Sequence, residues 1–298
     1  MTAADAALFP GFASRRIATS GAEIQCVIGG SGPPLLMLHG YPQTHAMWHR
    51  IAPRLAERFT VVCSDLRGYG DSSKPEGGER SVHYSKRAMA ADQVELMRAL
   101  GFARFRLAGH DRGARVSHRL CVDHPASVER VAVLDISPTR AMYGRTDQAF
   151  ATDYYHWFFL IQPFDLPEKL IGADPGYYLR KKTSGWGSAA NIFDPCAFAE
   201  YERCFRDPAT IHATCEDYRA AASIDLEHDA ADVAAGRRVT CPLLVLWGDK
   251  GVVHRHFDPI ADWKSVATDV RGRPLPSGHY LAEEAPDETL SELQAFFG

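Results

Sequence analysis

An aspartate stands at the centre of a tight-turn motif that usually presents a serine nucleophile. The segment Gly-His-Asp-Arg-Gly at 109–113 follows the apolar run RFRLAGH and precedes a stretch with helical periodicity. Its glycine spacing and strand-to-helix context are those of the nucleophile elbow G-x-S-x-G, with Asp111 at the serine position. The flanking glycines suit the strained turn that holds the central side chain out at the top of a sheet. We therefore predict that Asp111 is a nucleophile.

A carboxylate nucleophile indicates a different reaction from that of a serine. It is poor at acyl transfer, but it can displace a leaving group from a saturated carbon and form an ester, so dehalogenation and epoxide opening are the expected reactions. Water activated by a base must then hydrolyse the ester. The predicted base is His279, in the late loop PLPSGHYLAEEAP, because it fits the chain order nucleophile, acid, histidine.

Two carboxylates compete to orient His279. Asp135 ends the apolar run RVAVLDIS just after the elbow helix, whereas Asp249 follows PLLVLWG. Many proteins with this elbow place the acid in a later W-G-x-x-D pattern, but here Gly251 stands where that aspartate would be. We therefore predict that Asp135 is the acid and that Asp249 caps a turn.

The segment His-Gly-Tyr-Pro at 39–42 follows another apolar run, PLLMLHG. It resembles the H-G-x-P loop that accompanies the nucleophile elbow, whose backbone amide pairs with the amide after the nucleophile to form an oxyanion hole. We assign these two donors to the amides of Tyr41 and Arg112. They are expected to stabilise the tetrahedral intermediate of ester hydrolysis, where one such donor is worth about 3 kcal/mol.

Apolar runs that alternate with helical stretches must position these residues. The runs are EIQCVIGG, PLLMLHG, FTVVCSDLRG, RFRLAGHD, RVAVLDIS and PLLVLWGD. They predict an α/β fold with a mostly parallel sheet, flanking helices and ligands at the carboxyl ends of the strands. The alternation stops after Ser137 and resumes near Val239, and the interval is rich in aromatic residues. We expect an inserted helical cap at 139–229 between core segments at 1–138 and 230–298, covering the site and excluding water.

Composition and charge indicate small-molecule partners. The 298 residues are 46% hydrophobic and 23% charged, which is typical of an ordinary globular protein. A net charge of −4 without a dense Lys/Arg block argues against nucleic-acid and membrane partners. The chain has no long apolar stretch, and its seven scattered cysteines form no C-x-x-C pair. We therefore expect a cytoplasmic protein without a metal site or a cofactor.

Motifs in both the core and the expected cap resemble one family. The run H-D-R-G-A-R at 110–115, the HGYPQ loop at 39–43, the His-Trp dipeptide at 156–157 and Tyr218 are similar to fluoroacetate (haloacetate) dehalogenases of the α/β-hydrolase superfamily. The resemblance implies an α/β-hydrolase fold with an inserted helical cap, no cofactor and a homodimer. It also implies that water converts a small anionic haloacetate, such as fluoroacetate, to glycolate and halide.

The resemblance also assigns roles to individual residues. In the family, arginines that match Arg112 and Arg115 hold the substrate carboxylate, and guanidinium groups three apart on a helix suit such a ligand by their fork geometry. The resemblance assigns halide binding to three donors in the cap, His156, Trp157 and Tyr218. Trp186 resembles a residue that lines the cap, although packing explains a tryptophan there equally well.

Other functions remain open on sequence grounds. An epoxide hydrolase shares the aspartate nucleophile, the histidine base and a cap, and Tyr218 with Tyr154 or Tyr155 could protonate its departing oxygen. Against that alternative, Arg112 stands where epoxide hydrolases commonly carry tryptophan. A non-catalytic ligand-binding protein on a hydrolase fold is a further alternative, and a serine esterase is disfavoured by the aspartate at the elbow.

Overall fold

The computed structural model describes residues 2–188 and 192–298, which contain one eight-stranded sheet. The strands are β1 (Ala13–Ala18), β2 (Glu23–Gly29), β3 (Pro34–Leu38), β4 (Thr60–Ser64), β5 (Phe105–His110), β6 (Val128–Leu134), β7 (Leu243–Gly248) and β8 (Val270–Leu275). They lie in the order β1-β2-β4-β3-β5-β6-β7-β8. The first two pairings are antiparallel and all later ones are parallel. The predicted α/β fold with a mostly parallel sheet is confirmed.

Burial explains which strands could be predicted from the sequence. Strands β3, β5 and β7 are almost entirely buried, as strands covered by helices on both faces must be, and their sequences are continuous apolar runs. Strands β1 and β8 were not predicted. They form the two edges of the sheet, read ASRRIA and VRGRPL, and are largely exposed or half-buried. Arginines on an edge strand discourage pairing with another chain. They also interrupt the apolar run by which a strand is predicted from the sequence.

Core helices surround the first part of the sheet. They are α1 (Ala3–Leu8), α2 (Ala52–Leu55), α3 (Lys86–Ala99) and α4 (Arg112–Asp123), with 3₁₀ turns at His45–Trp48 and Glu79–Tyr84. Helix α3 begins after Ser85, whose hydroxyl accepts a hydrogen bond from the Ala88 amide at 3.2 Å. Helix α4 begins at Arg112, directly after the elbow. Asp111 is thereby fixed between β5 and α4.

Residues 139–234, which we call the helical insertion, separate β6 from β7. Its helices are α5 (Thr139–Gly144), α6 (Gln148–Asp153), α7 (Tyr155–Phe159), α8 (Leu166–Ala173), α9 (Pro175–Thr183), α10 (Pro195–Phe205), α11 (Pro208–Ala221) and α12 (Ile224–Ala234). Trp157, Tyr201 and Tyr218 are fully buried and belong to the same apolar cluster as the sheet. The insertion therefore packs on the core through its aromatic side chains.

Four further helices complete the fold. They are α13 (Val252–His256), α14 (Pro259–Val266), α15 (Leu281–Glu284) and α16 (Pro286–Phe297). The loop between β8 and α15 carries His279. Within the described ranges, none of the helices combines the length and the apolar character that crossing a bilayer requires.

Candidate active site

The elbow holds Asp111 in a strained backbone conformation. Its φ of +44° and ψ of −111° are unusual for a residue with a Cβ atom. The flanking positions leave no room for a side chain, because a Cβ on Gly113 would lie 2.4 Å from the carbonyl oxygens of Leu38 and His39. A Cβ on Gly109 would lie 2.5 Å from the Ser117 hydroxyl. Glycine on both sides is therefore a steric requirement of this turn.

His279 and Asp135 form a buried hydrogen-bonded pair. The Nδ1 atom of His279 lies 2.6 Å from Oδ2 of Asp135, and the Gly248 amide donates to Oδ1 of the same carboxylate at 3.0 Å. Both side chains are essentially inaccessible to solvent. Asp249, the alternative acid, is exposed, and its amide donates to the carbonyl of Leu275. The structure thus places Asp135, and not Asp249, against the histidine.

Gly251 lies next to the carboxylate of Asp135, so an acid at either position, 135 or 251, could contact His279. A Cβ built on Gly251 would lie 3.4 and 3.6 Å from the two carboxylate oxygens of Asp135. An acid at 251 and an acid at 135 would therefore point into the same space. Glycine at 251 leaves that space to Asp135.

Neighbouring charges set the ionisation of Asp111 and His279, the predicted nucleophile and base. Burial opposes ionisation of Asp111, but the charges of His279, Arg115 and Arg112 outweigh it and lower the pKa of this carboxyl. Burial likewise disfavours charged His279, yet its hydrogen bond to Asp135 and the charge of that carboxylate raise the pKa of the imidazole. The Asp111 charge adds to this rise. An ester on Asp111 would remove that charge, lower the pKa of His279 and favour the neutral base.

The expected oxyanion loop lies against the nucleophile. The Tyr41 amide donates to Oδ2 of Asp111 at 3.2 Å. A Cβ on Gly40 would lie 2.6 Å from the Cβ of Asp111, so glycine permits this close approach. The Arg112 amide is the first of helix α4 and follows Asp111 directly in the chain. One predicted amide therefore contacts the Asp111 carboxylate, and the other belongs to the next residue of the chain.

The two arginines have different surroundings. Arg112 is held by Asp217 of α11, which accepts from Nε at 2.8 Å and from Nη2 at 2.7 Å. Arg115 is buried without a carboxylate partner among the described residues. Its Nη1 atom donates to the hydroxyl of Thr139 at 2.9 Å, and its Nε atom has no partner there. Arg115 therefore keeps more of its charge available to a ligand.

The three predicted halide donors are buried and unsatisfied. Nδ1 of His156, Nε1 of Trp157 and the hydroxyl of Tyr218 have no hydrogen-bond partner in residues 2–188 and 192–298. The His156 and Tyr218 rings lie 5.7 Å apart, and the Trp157 ring lies 4.6 Å from the Arg115 guanidinium carbon. Buried donors that stay unpaired are costly, which makes them candidates for binding a ligand.

Trp186 lies directly over the catalytic candidates. Its ring centre is 4.8 Å from that of His156 and 5.0 Å from that of His279, and it stacks on Tyr154 at 5.8 Å. Tyr154 is buried, whereas Tyr155 is 46% exposed and contacts Lys182. The structure therefore groups Trp186 with the site and places Tyr155 at its solvent-exposed side.

Two residues contribute to the site in ways that were not predicted from the sequence. His110, beside Asp111, donates from Nε2 to the backbone carbonyl of His279 at 2.8 Å, and burial lowers its pKa to about 3. Asp217 binds Lys86 and the hydroxyl of Tyr69 in addition to Arg112. These contacts join distant parts of the chain, so a single sequence does not reveal them.

The sheet, the elbow and the Asp-His-Asp arrangement together define an α/β-hydrolase-fold protein with an aspartate at the elbow. The chain belongs to the α/β-hydrolase family, whose model, described as alpha/beta hydrolase fold, matches residues 33–286. This confirms the fold that the sequence motifs implied.

Among known proteins, the chain is similar to a fluoroacetate dehalogenase from Burkholderia sp, with 50% identity over 97% of this chain and 95% of the relative. A soluble epoxide hydrolase from Corynebacterium sp. is 34% identical over 93% of this chain and 94% of the relative. A solved structure from Nostoc sp PCC 7120, described as a proposed α/β hydrolase, has a TM-score of 0.94 and 58% identity, and the match covers 96% of this chain and 98% of that one. The predicted resemblance to haloacetate dehalogenases is confirmed.

Proposed function

We propose that the protein is a haloacetate dehalogenase that converts fluoroacetate or a related haloacetate to glycolate and halide. The observation that carries this proposal is a set of buried donors on His156, Trp157 and Tyr218 that have no hydrogen-bond partner among the described residues and lie near an elbow with an aspartate. A halide leaving inside a dry site needs such donors. The named relative at 50% identity supports the same substrate class.

In the first step, a carboxylate oxygen of Asp111 attacks the carbon that bears the halogen. The carbon–halogen bond breaks, the halide takes the electron pair, and an ester joins the remaining acid group to Asp111. Arg115, with Arg112 beside it, binds the substrate carboxylate, which would otherwise be repelled by the anionic nucleophile. The three donors in the helical insertion stabilise the departing halide.

In the second step, neutral His279 takes a proton from water, and the resulting hydroxide attacks the carbonyl carbon of the ester. The Tyr41 and Arg112 amides stabilise the oxyanion of the tetrahedral intermediate. Collapse of the intermediate releases glycolate and restores the Asp111 carboxylate. His279 then passes its proton to solvent, and Asp135 orients the ring throughout.

Epoxide hydrolysis is the second candidate, because Tyr154 and Tyr218 are both buried and an epoxide hydrolase is among the relatives. The His156 ring contacts both tyrosines, however, with ring centres at 5.1 and 5.7 Å. An imidazole therefore accompanies the two phenols in this site. Since Arg115 also favours an anionic substrate, haloacetate is preferred.

Halide release from fluoroacetate and chloroacetate, followed with ion electrodes, tests the proposal, with styrene oxide hydrolysis as the control. Fluoride release without diol formation is expected, and the reverse would establish the epoxide hydrolase. Arg115→Leu should weaken haloacetate binding by roughly 1.5 to 3 kcal/mol, the strength of a charge-assisted hydrogen bond. Haloacetamide should be a poor substrate of the natural protein. Equal reaction of amide and acid would remove Arg115 from the carboxylate site.

We further propose that residues 139–229 act as the cap over this site, that the protein is cytoplasmic and that it is a homodimer. Free thiols at all seven cysteines are consistent with a reducing compartment. The homodimer rests on the family resemblance, and analytical ultracentrifugation would test it.

A further inference from the structure

Lys182, near the end of α9, is a buried cation without an anionic partner in the part of the chain that the structure describes. Only 3% of the residue is exposed. Its Nζ atom lies 4.0 Å from the ring centre of Tyr155 and 4.6 Å from that of Trp186. Within residues 2–188 and 192–298 it makes neither a hydrogen bond nor a salt bridge. The faces of two aromatic rings therefore lie against this ammonium group.

Stability does not explain a lysine at this position. Burial disfavours the ammonium form and lowers the pKa of Lys182 to about 7. Cation–π contacts offset part of that cost, typically by about 0.5 to 2 kcal/mol. A methionine would fill the same space without any charge to bury. The neighbouring Lys181 is exposed, so the chain has no difficulty in placing a lysine of this helix in water.

Lys182 lies between the protein surface and the candidate active site. On one side, Tyr155 is 46% exposed. On the other side, Trp186 contacts His279, with 5.0 Å between the ring centres, and His156, with 4.8 Å. Burial lowers the pKa of His156, and the positive charge of Lys182 lowers it further, so the field of this lysine reaches the group proposed to bind the halide.

An anionic substrate would explain why this buried position carries a positive charge. The substrate carboxylate must approach Asp111, which is itself an anion. Of the two arginines beside Asp111, Arg112 is largely neutralised by the two hydrogen bonds it donates to Asp217. Arg115 alone has no carboxylate partner among the described residues. A second unneutralised cation on the side of the insertion would attract the carboxylate before Arg115 binds it.

We propose that Lys182 is a further substrate-recognition residue, whose charge between Tyr155 and Trp186 makes the site selective for small carboxylate anions over neutral molecules of the same shape. This inference rests on the proposed haloacetate dehalogenase function. Lys182 acts on binding and takes no part in bond breaking. Its removal should therefore change affinity and leave the chemical step nearly intact.

The test compares Lys182→Met with Lys181→Met, which removes the same charge from the exposed neighbouring position. Binding of acetate and of acetamide is measured by calorimetry at low and high salt and at about pH 6, where a lysine with a pKa of about 7 is mainly charged. Lys182→Met should raise the Kd of acetate about tenfold at low salt, on the scale of one unit charge in a partly desolvated site. The effect should shrink at high salt, and the Kd of acetamide should not change. Lys181→Met should alter either Kd by less than about twofold.

Three further measurements separate recognition from structure. In steady-state assays with fluoroacetate, Lys182→Met should raise KM about tenfold while kcat stays within about twofold. The melting temperature of Lys182→Met should rise, because a buried charge has been removed. Lys182→Arg, which keeps the charge, should retain most of the acetate affinity. An unchanged acetate Kd together with a higher melting temperature would overturn the proposal and make Lys182 a packing residue.

The outcomes also distinguish this inference from the proposed function. Acetate binding that depends on Lys182 in a protein that releases no halide would refute dehalogenation and leave the anion site standing. Halide release by the natural protein, with the same acetate Kd in Lys182→Met, would refute the anion site alone.

Discussion

Replacing Trp157 by phenylalanine separates hydrogen-bond donation from packing in the proposed halide site. The substitution deletes the indole N–H and keeps much of the aromatic surface. Trp157 is 1% exposed, and its ring lies 4.6 Å from the guanidinium carbon of Arg115 and 4.8 Å from the ring of Tyr143. A phenyl ring can preserve part of both contacts. What it cannot preserve is the donor aimed at a leaving halide.

The expected loss follows from the strength of one preorganised donor. Removing such a donor elsewhere costs about 2.7 to 4 kcal/mol in the transition state, and about 1.4 kcal/mol corresponds to a tenfold change in rate. Turnover of fluoroacetate should therefore fall about a hundredfold or somewhat more. Chloroacetate should lose much less, because chloride spreads its charge over a larger atom and gains less from each hydrogen bond.

Stability should change little, and the structure gives the reason. Nε1 of Trp157 has no hydrogen-bond partner within the described residues, so the substitution breaks no bond in the folded protein. Relief of a buried unsatisfied donor, worth about 1 to 3 kcal/mol, opposes the loss of packing from the smaller ring. We expect the free energy of unfolding to stay within about 1 kcal/mol of that of the natural protein.

Trp48 provides a matched control. It is fully buried, its Nε1 atom also lacks a partner among the described residues, and it lies outside the candidate site. Trp48→Phe should leave the ratio of fluoride to chloride release unchanged. The assay is kcat for both haloacetates by ion electrode, with urea unfolding of each variant. Equal losses on the two substrates would show that Trp157 only shapes the insertion, and unchanged fluoride release would remove it from the site.

Three further predictions address the base, the acid and a buried carboxyl. His279→Ala should still form the ester on Asp111 but hydrolyse it very slowly. The intact mass of this variant after mixing with haloacetate should therefore show one added acid group. Normal turnover, or an adduct on another residue, would contradict the assignment of Asp111 and His279. Asp135→Asn should lower kcat by up to about 10⁴-fold, as loss of the orienting acid does in serine triads, whereas Asp249→Asn should have little effect; the reverse order would move the acid to the later strand. Burial raises the pKa of Glu283 to about 8, so the folded state holds a proton that the unfolded state releases near its ordinary pKa. This group should therefore reduce stability by about 1.4 kcal/mol per pH unit as pH rises from about 5 to 8, and Glu283→Gln should flatten that slope in urea unfolding; identical slopes would refute the raised pKa.

Local sequence was enough to predict the tight turn around Asp111 and most of the sheet. The glycine spacing around Asp111 is a steric property of one turn, and the buried strands of a parallel sheet are apolar along their whole length. Both signals are carried by adjacent residues. The edge strands β1 and β8 escaped prediction because exposure relaxes the same apolar requirement.

Contacts between distant segments were decided only by the tertiary structure. The sequence placed Arg112 and Arg115 side by side as equivalent cations, but α11 brings Asp217 to Arg112 alone and leaves Arg115 without a carboxylate partner among the described residues. Lys181 and Lys182 are likewise identical and adjacent, yet one is exposed and the other is buried between two aromatic rings. Charge neutralisation and burial depend on which distant parts of the chain come into contact. No local pattern in a single sequence indicates those contacts.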